Sequence, residues 1–299
     1  MGRRWLVSVP VWGQRFVDVF CAAGLPMLRA AARALGESVT LIAHTDAPDW
    51  LSRHRTPELA IETRPVPAGQ QWFHCMSRAH RDVMRIAKPG EVVVLLTADM
   101  VISANTLTAC RDALFGRHKK LVCCNATRVK DEGVLPHGAG SRDLSEWGWS
   151  HRHAMAAACT WPDGRAADLS RVYFQAGPNV AARLWLAHPL ALLADGRALP
   201  FMPTIDSDLV ANFEPAEVHL VTSPDELAVI ELSPPSKTSG SRDADEPPER
   251  TDLPPLSKRY AGQHLEHSIY RWMLAQRIVI VGTGEGCGDD EAVKGILGR

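Results

Sequence analysis

One carboxylate stands out before any fold is assumed. Residues 92–101 read VVVLLTADMV, so Asp99 follows an uninterrupted apolar run. A carboxylate at the mouth of such a run is costly to bury unless it is paired, hydrogen-bonded or bound to a cation. Two uses answer that cost: contact with a ligand or metal, or capping of the adjacent loop or of a helix beginning after Ser103. A second pair of acids, Asp206 and Asp208, lies in Pro203-Thr204-Ile205-Asp206-Ser207-Asp208. On an extended segment residues two apart point the same way, which suits a metal or a general base. In a turn the same pair would instead cap a helix over Leu209 to Phe213.

Other residues invite chemistry less strongly. Trp147, Trp149 and Trp161 fall near His151 and His153. Tryptophan faces can stack on sugars, and they can equally pack beneath a loop. His151 and His153 diverge on a helix, so they make a poor metal pair. Gly282, Gly284, Gly286 and Gly288 follow the apolar run Ile278 to Val281, but too few residues remain for the βαβ unit that a dinucleotide loop needs. There is no Walker-type Gly-Lys-Ser/Thr run, and no Gly-x-Ser-x-Gly elbow to suggest a serine hydrolase.

The elements that must position these groups alternate. Trp5 to Val11, Val39 to Ala43, Leu59 to Val66, Val92 to Leu96 and Lys120 to Asn125 read as strands. Between them, helices are expected over Gln14 to Ala23, again from Pro26 after a break at Gly24-Leu25-Pro26, over Gln70 to Ala87, and from an N-cap at Ser103 to about Phe115. Strands separated by helical crossovers predict a mostly parallel sheet with helices on both faces, an α/β class. In such a sheet ligands bind beyond the carboxyl ends of the strands. Pro10, Val11, Trp12 and Gly13 follow the first strand; His44, Thr45 and Asp46 follow the second; Thr97, Ala98 and Asp99 follow the fourth.

The second half is less regular. Val129 to Asp143 reads as a loop, 144–160 as a helix, Val180 to Leu193 as apolar and strand-like, and Glu217 to Leu232 as strand, turn, strand. The stretch 233–256 is rich in Pro, Ser and charge and reads as a flexible linker. Residues 257–299 would add a helix, Gln263 to Gln276, and a loose tail.

Composition narrows the classes. The chain has 299 residues, 45% of them hydrophobic and 22% charged, which is ordinary for a globular protein with a substantial core. A formal net charge of -1 gives no global attraction to nucleic acid. No apolar run reaches a membrane-spanning length. Seven cysteines, an odd number without a Cys-x-x-Cys, argue against a zinc ribbon or disulfide framework and predict a reducing, cytoplasmic setting.

The order of elements, the opening VSVPVWG and the strand VVVLLTADM resemble nucleotide-sugar-dependent glycosyltransferases with the A-type fold. The resemblance covers roughly residues 5–125 and extends more weakly to 232. It implies one α/β domain over 1–232, with a nucleotide-binding half (1–125) and an acceptor half (126–232). In that family an Asp-x-Asp motif ends the strand and binds a divalent metal that holds the donor diphosphate; Thr97-Ala98-Asp99 keeps only the last acid. The resemblance implies that Pro10, Val11 and Trp12 line the base and ribose and that Asp46 accepts a hydrogen bond from the base. It implies that Asp99, with His188 as a late histidine, touches a Mn or Mg ion or the donor sugar. Arg78 and Arg81 would face the diphosphate, and Asp206 or Asp208 would serve as base in an inverting transfer. The expected partners are a nucleoside diphosphate sugar and an acceptor of unknown identity. Two other functions compete: a nucleotide-sugar-binding protein or scaffold without catalysis, suggested by the missing acid, and a nucleotidyltransferase. The latter usually carries a glycine-rich basic loop after the first strand, where this chain has only Trp12-Gly13-Gln14-Arg15.

Overall fold

The computed structural model describes residues 2–66, 72–129, 135–151, 159–160, 167–168, 173–177, 180–183, 188–197, 199, 207–232, 268–274, 276 and 278–281. The chain opens with β1 (Arg4–Val11), β2 (Ser38–Thr45), β3 (Leu59–Arg64), β4 (Val92–Leu95), the short β5 (Met100–Ile102), β6 (Leu121–Cys124) and β7 (Ala126–Val129). There follow β8 (Cys159–Thr160), β9 (Ala167–Asp168), β10 (Tyr173–Gly177), β11 (Val180–Arg183), β12 (His188–Leu193), β13 (Val218–Leu220), β14 (Val229–Leu232) and β15 (Ile278–Val281).

Contacts divide the chain into two compact units. The first comprises Met1–Cys123, His137–Ala139 and Pro189–His219; the second comprises Cys124–Pro136, Gly140–His188 and Leu220–Arg299.

The first unit is built on a seven-stranded sheet of order β13-β6-β12-β4-β1-β2-β3. β1 pairs in parallel with β2 and β4, β2 pairs in parallel with β3, and β12 runs antiparallel to β4. The sheet is thus mostly parallel and flanked by helices, as the alternation predicts. β1, β2 and β4 are buried along almost their whole length, as strands covered on both faces must be. β3, at the sheet's edge, alternates instead: Leu59 and Ile61 are buried, Ala60 and Glu62 exposed.

Helices α1 (Gln14–Val19) and α2 (Leu25–Leu35) are joined by a π-helical turn, Phe20–Gly24. The break expected at Gly24-Leu25-Pro26 does not occur, and Gly24 is right-handed helical (φ -62°, ψ -47°). Here the Leu25 N–H bonds back to the Phe20 carbonyl. The wider turn lets the helix pass a proline that has no N–H to donate. Leu25, Leu28, Ala32 and Leu35 put a buried stripe on α2, and Gly36 ends it at φ 68°.

After α3 (Pro48–Ser52) comes α4 (Trp72–Ile86), which packs on β1. α5 (Thr106–Arg111) runs into a second π-helical turn, Asp112–Gly116. Ser103 is not its cap: Asn105 holds that position, and the Ser103 hydroxyl bonds to Thr106 Oγ1 at 2.9 Å. β5, absent from the sequence expectation, uses the apolar residues before Ser103.

In the second unit β14 pairs in parallel with β7, and α6 (Ser141–Ser150) contacts both. β10, β11 and β15 form an antiparallel sheet, and β8 pairs with β9. One expectation needs correcting. The helix of 144–160 is the shorter α6, with strand at Cys159–Thr160. The segment 217–232 is strand, turn, strand as expected, but its strands do not pair with each other: β13 edges the large sheet while β14 joins β7. Helix Ser268–Leu274 falls within the expected Gln263–Gln276. The expected linker 233–256 and the glycine loop 282–288 lie outside the described residues.

Candidate functional site

The strand order creates a switch point. From β1 the chain winds outward through β2 and β3, then returns to lay β4 on the other side of β1. Beyond the carboxyl ends of β1 and β4 the two windings part, and open parallel sheets place ligands there. Pro10 and Val11 end β1 and are buried; Trp12 is half-buried and Gly13 exposed. On the other side, Leu96 N–H donates to the Ser8 carbonyl (3.1 Å), extending the ladder by one residue. The chain then turns over Thr97–Met100, closed by a Met100 N–H to Thr97 carbonyl bond of 3.1 Å.

Asp99 sits in that turn with 7% of its surface exposed. The Thr97 hydroxyl donates to Asp99 Oδ1 at 2.5 Å, the range of a charge-assisted O–H···O bond. No side chain caps α5, so a capping role for Asp99 at that helix is not what the chain adopts. The carboxylate is instead held by its own turn, at the sheet edge where β4 ends.

Gly13 and Asp46 join the neighbouring loops. The Gly13 N–H donates to Asp46 Oδ2 at 3.0 Å. Gly13 has φ 77° and ψ 138°, a conformation that a side chain would strain, and its carbonyl starts α1 by accepting from Phe16 and Val17. Asp46 is exposed, and a carboxylate has acceptor capacity beyond one bond.

Two histidines stand close by: His44, already placed after the second strand by the sequence, and His80, which the sequence does not single out. His44, 2% exposed at the end of β2, places Nε2 3.4 Å from Asp82 Oδ2 on α4. Burial holds this imidazole below the usual histidine range, against the pull of the Asp82 carboxylate. His80, also on α4, is buried with Nδ1 2.8 Å from Ser8 Oγ. For His80 the available signals were a serine inside an apolar strand and a histidine on the apolar face of a helix, both too common to single out.

The remaining expected residues scatter. Arg78 is exposed on α4; Arg81 is half-buried and lines a cleft at the opposite edge of the sheet, where β4 begins. β12 starts at the edge where β4 ends, and its first residue, His188, is buried. Asp208 falls in the helix Ser207–Val210, so the extended geometry does not apply to it; its side chain and all of Asp206 lie outside the described residues. Trp147 stacks on His151 with ring centroids 4.2 Å apart, so one of its faces is already occupied. Trp161 and His153 lie outside the described residues. Among the described residues no group of three or more His, Cys, Asp or Glu side chains is arranged to hold a metal ion, and no helix is long and apolar enough to cross a membrane.

No protein-family model and no curated protein sequence matches the chain. Several solved structures are similar to it. S. aureus TarS 1–349 in complex with UDP-GlcNAc is 10% identical over 91% of this chain and 70% of that one, with a TM-score of 0.45. Glucosyl-3-phosphoglycerate synthase from Mycobacterium tuberculosis, solved with Mn2+, UDP-glucose and phosphoglyceric acid, is 13% identical over 74% of this chain and 69% of that one, with a TM-score of 0.40. A second alignment to S. aureus TarS 1–349 gives 16% identity over 44% of this chain, with a TM-score of 0.33, and spans only 38% of TarS 1–349. At these identities and TM-scores the likeness assigns no activity, and the chemistry has to be argued from the switch point itself.

Proposed function

We propose that the first unit binds a nucleoside diphosphate sugar beyond the ends of β1 and β4, and that the chain transfers the sugar to an acceptor. The observation that carries this reading is the buried Asp99 carboxylate at the topological switch point. Pro10, Val11 and Trp12 would offer an apolar wall to base and ribose, and Asp46 a hydrogen-bond acceptor fixed by Gly13. Arg78, exposed on α4, is the proposed partner of the diphosphate.

A divalent cation, Mn or Mg, belongs to the proposal. Mg-type ions bind through one or two carboxylates together with substrate phosphates and water, and Asp99 meets that minimum. When bound, such an ion supplies positive charge to the departing diphosphate. Asp99 would orient the donor, with Thr97 holding the carboxylate in one rotamer. His188 is proposed as an accessory donor, and Asp206 or Asp208 as the base for the acceptor hydroxyl. A cytoplasmic setting goes with this reading, since all five described cysteines are free thiols.

The single acid of Thr97-Ala98-Asp99, where the resembled family has two, favours one second reading, a nucleotide-sugar-binding protein without transfer. Two measurements separate the outcomes. Thermal shift with a panel of nucleoside diphosphates, with and without manganese, should show stabilisation by at least one; none with any member overturns the proposal. Donor hydrolysis that disappears in Asp99→Asn supports transfer, and binding without hydrolysis leaves the second reading.

A further inference from the structure

The corner that Gly13 and Asp46 form continues into α3, and the chain there is fixed residue by residue. Thr45 Oγ1 accepts from the Ala47 N–H at 3.0 Å. Pro48 takes the first position of the helix, where a missing N–H leaves no bond unmade. The Leu51 N–H donates to the Ala47 carbonyl at 3.3 Å, and the Leu51 side chain is wholly buried. Ser52 Oγ donates to the Pro48 carbonyl at 2.9 Å, and the His54 N–H to the Leu51 carbonyl at 3.0 Å. The His54 carbonyl in turn accepts from Nη2 of Arg29 on α2. The short helix is thus tied to β2 at one end and to α2 at the other.

This anchored segment leaves one large side chain in the open. Trp50 keeps 38% of its surface exposed, and among the described residues Ile86 is the other large apolar side chain so exposed. Ile86 closes α4, toward the edge where β4 begins. Trp50 lies at the opposite edge, since Thr45, the last residue of β2, pairs with Val11, the last of β1. One side of the indole rests on His54, with ring centroids 4.5 Å apart and planes tilted by 55°. Burial, helped by the Arg29 charge, holds that imidazole below the usual histidine range, so at neutral pH an uncharged ring supports the indole. No second ring stacks on Trp50 among the described residues.

A single exposed apolar residue is ordinary on a protein surface. Trp50 differs in its place and its rigidity. Four residues of chain separate it from Asp46, a span of about 6 Å in a helical turn and at most about 14 Å fully extended. A base whose edge meets the Asp46 carboxylate therefore comes within reach of the indole. Every nucleobase offers a flat π-face, and a ring already held in position loses little freedom when that face settles on it.

We infer, on the nucleotide-sugar reading of the same site, that the Trp50 indole is the platform on which the nucleobase stacks, with Asp46 meeting the base edge beside it. UDP, CDP, ADP and GDP are titrated into the full chain by calorimetry, and the tightest of the four is carried to the variants. Trp50→Ala is expected to lose about tenfold or more in affinity, the scale of one base leaving one aromatic ring. Trp50→Phe keeps a π-face and should stay within about threefold of wild type. Tryptophan emission adds a readout that a merely structural role would not move. Saturating nucleotide should quench wild type more than Trp50→Phe, although both bind. Unchanged affinity in Trp50→Ala, or equal quenching in Trp50→Phe and wild type, overturns the inference and leaves the nucleotide reading standing. Trp50→Phe weakened as much as Trp50→Ala overturns it too, and a lowered Tm in both would assign the indole to packing. No binding of any of the four by wild type overturns this inference and the reading beneath it together.

Discussion

The backbone N–H of Gly13 donates to Oδ2 of Asp46 at 3.0 Å, which fastens the loop after β1 to the loop after β2. Two adjacent strand ends thereby share one rigid corner at the mouth of the sheet. Asp46→Ala removes the acceptor while leaving the exposed N–H to water, so stability should change by less than about 1 kcal/mol. Nucleotide affinity, measured by calorimetry with UDP, should fall by about tenfold. Gly13→Ala has open space around its new methyl group but a strained backbone, so it should cost about 1–2 kcal/mol in chemical denaturation.

Asp99→Asn keeps an oxygen that can accept from the Thr97 hydroxyl, so it separates charge from shape. Stability should stay close to wild type while donor hydrolysis is lost. Thr97→Val does the reverse, leaving a buried carboxylate without its hydroxyl, and should lower stability by about 1–3 kcal/mol. Equal hydrolysis by Asp99→Asn and wild type would remove Asp99 from the chemistry.

His44 gives a pH signature with a definite sign. Burial depresses its folded pKa, so as pH falls the unfolded chain takes up the proton first. Its contribution is fully present above 6.5, its ordinary value, and is lost as pH falls below that toward the folded value. Denaturation at pH 8 and pH 5.5 should show wild type losing more stability on acidification than His44→Gln. The opposite order would mean that Asp82 captures a charged imidazole.

Arg197→Met should destabilise the first unit at neutral pH by about 1–2 kcal/mol, discounted for partial exposure of the three charges. Glu217 and Asp195 have depressed values, so their contribution is present above their ordinary 4.5 and 3.8 and fades as pH drops through the folded values. The gap between wild type and variant should therefore close in acid, which a series of melts from pH 7 to 3 would reveal.

Gly148→Ala looks favourable on helix propensity alone, since alanine is the better helix former. In α6 the added methyl would meet Ile230 Cγ2 at 2.6 Å, and Val129 stands close behind. Overpacking against β14 and β7 should cost about 1–3 kcal/mol, read from urea unfolding. A stabilised variant would show that α6 can lift off the strands.

The α/β class, the mostly parallel sheet and the place of Asp99 just after a buried strand were legible in residue order. Continuous apolar runs need two covered faces, and a lone acid after one of them needs a partner. Local chemistry misled where a tertiary neighbour outweighed it. No break separates α1 from α2, because a π turn carries the helix into Pro26, and Ser103 loses the cap position to Asn105. Only the assembled sheet could say that β4 lies beside β1, opposite β2, because strand order depends on which faces bury best together rather than on any one segment's pattern. That order puts Asp99 at a switch point and Arg81 at the far edge, although the two are close in sequence. Arg81 lies near the end of α4 that turns into β4, and Asp99 lies beyond the far end of that strand, so the length of β4 separates them.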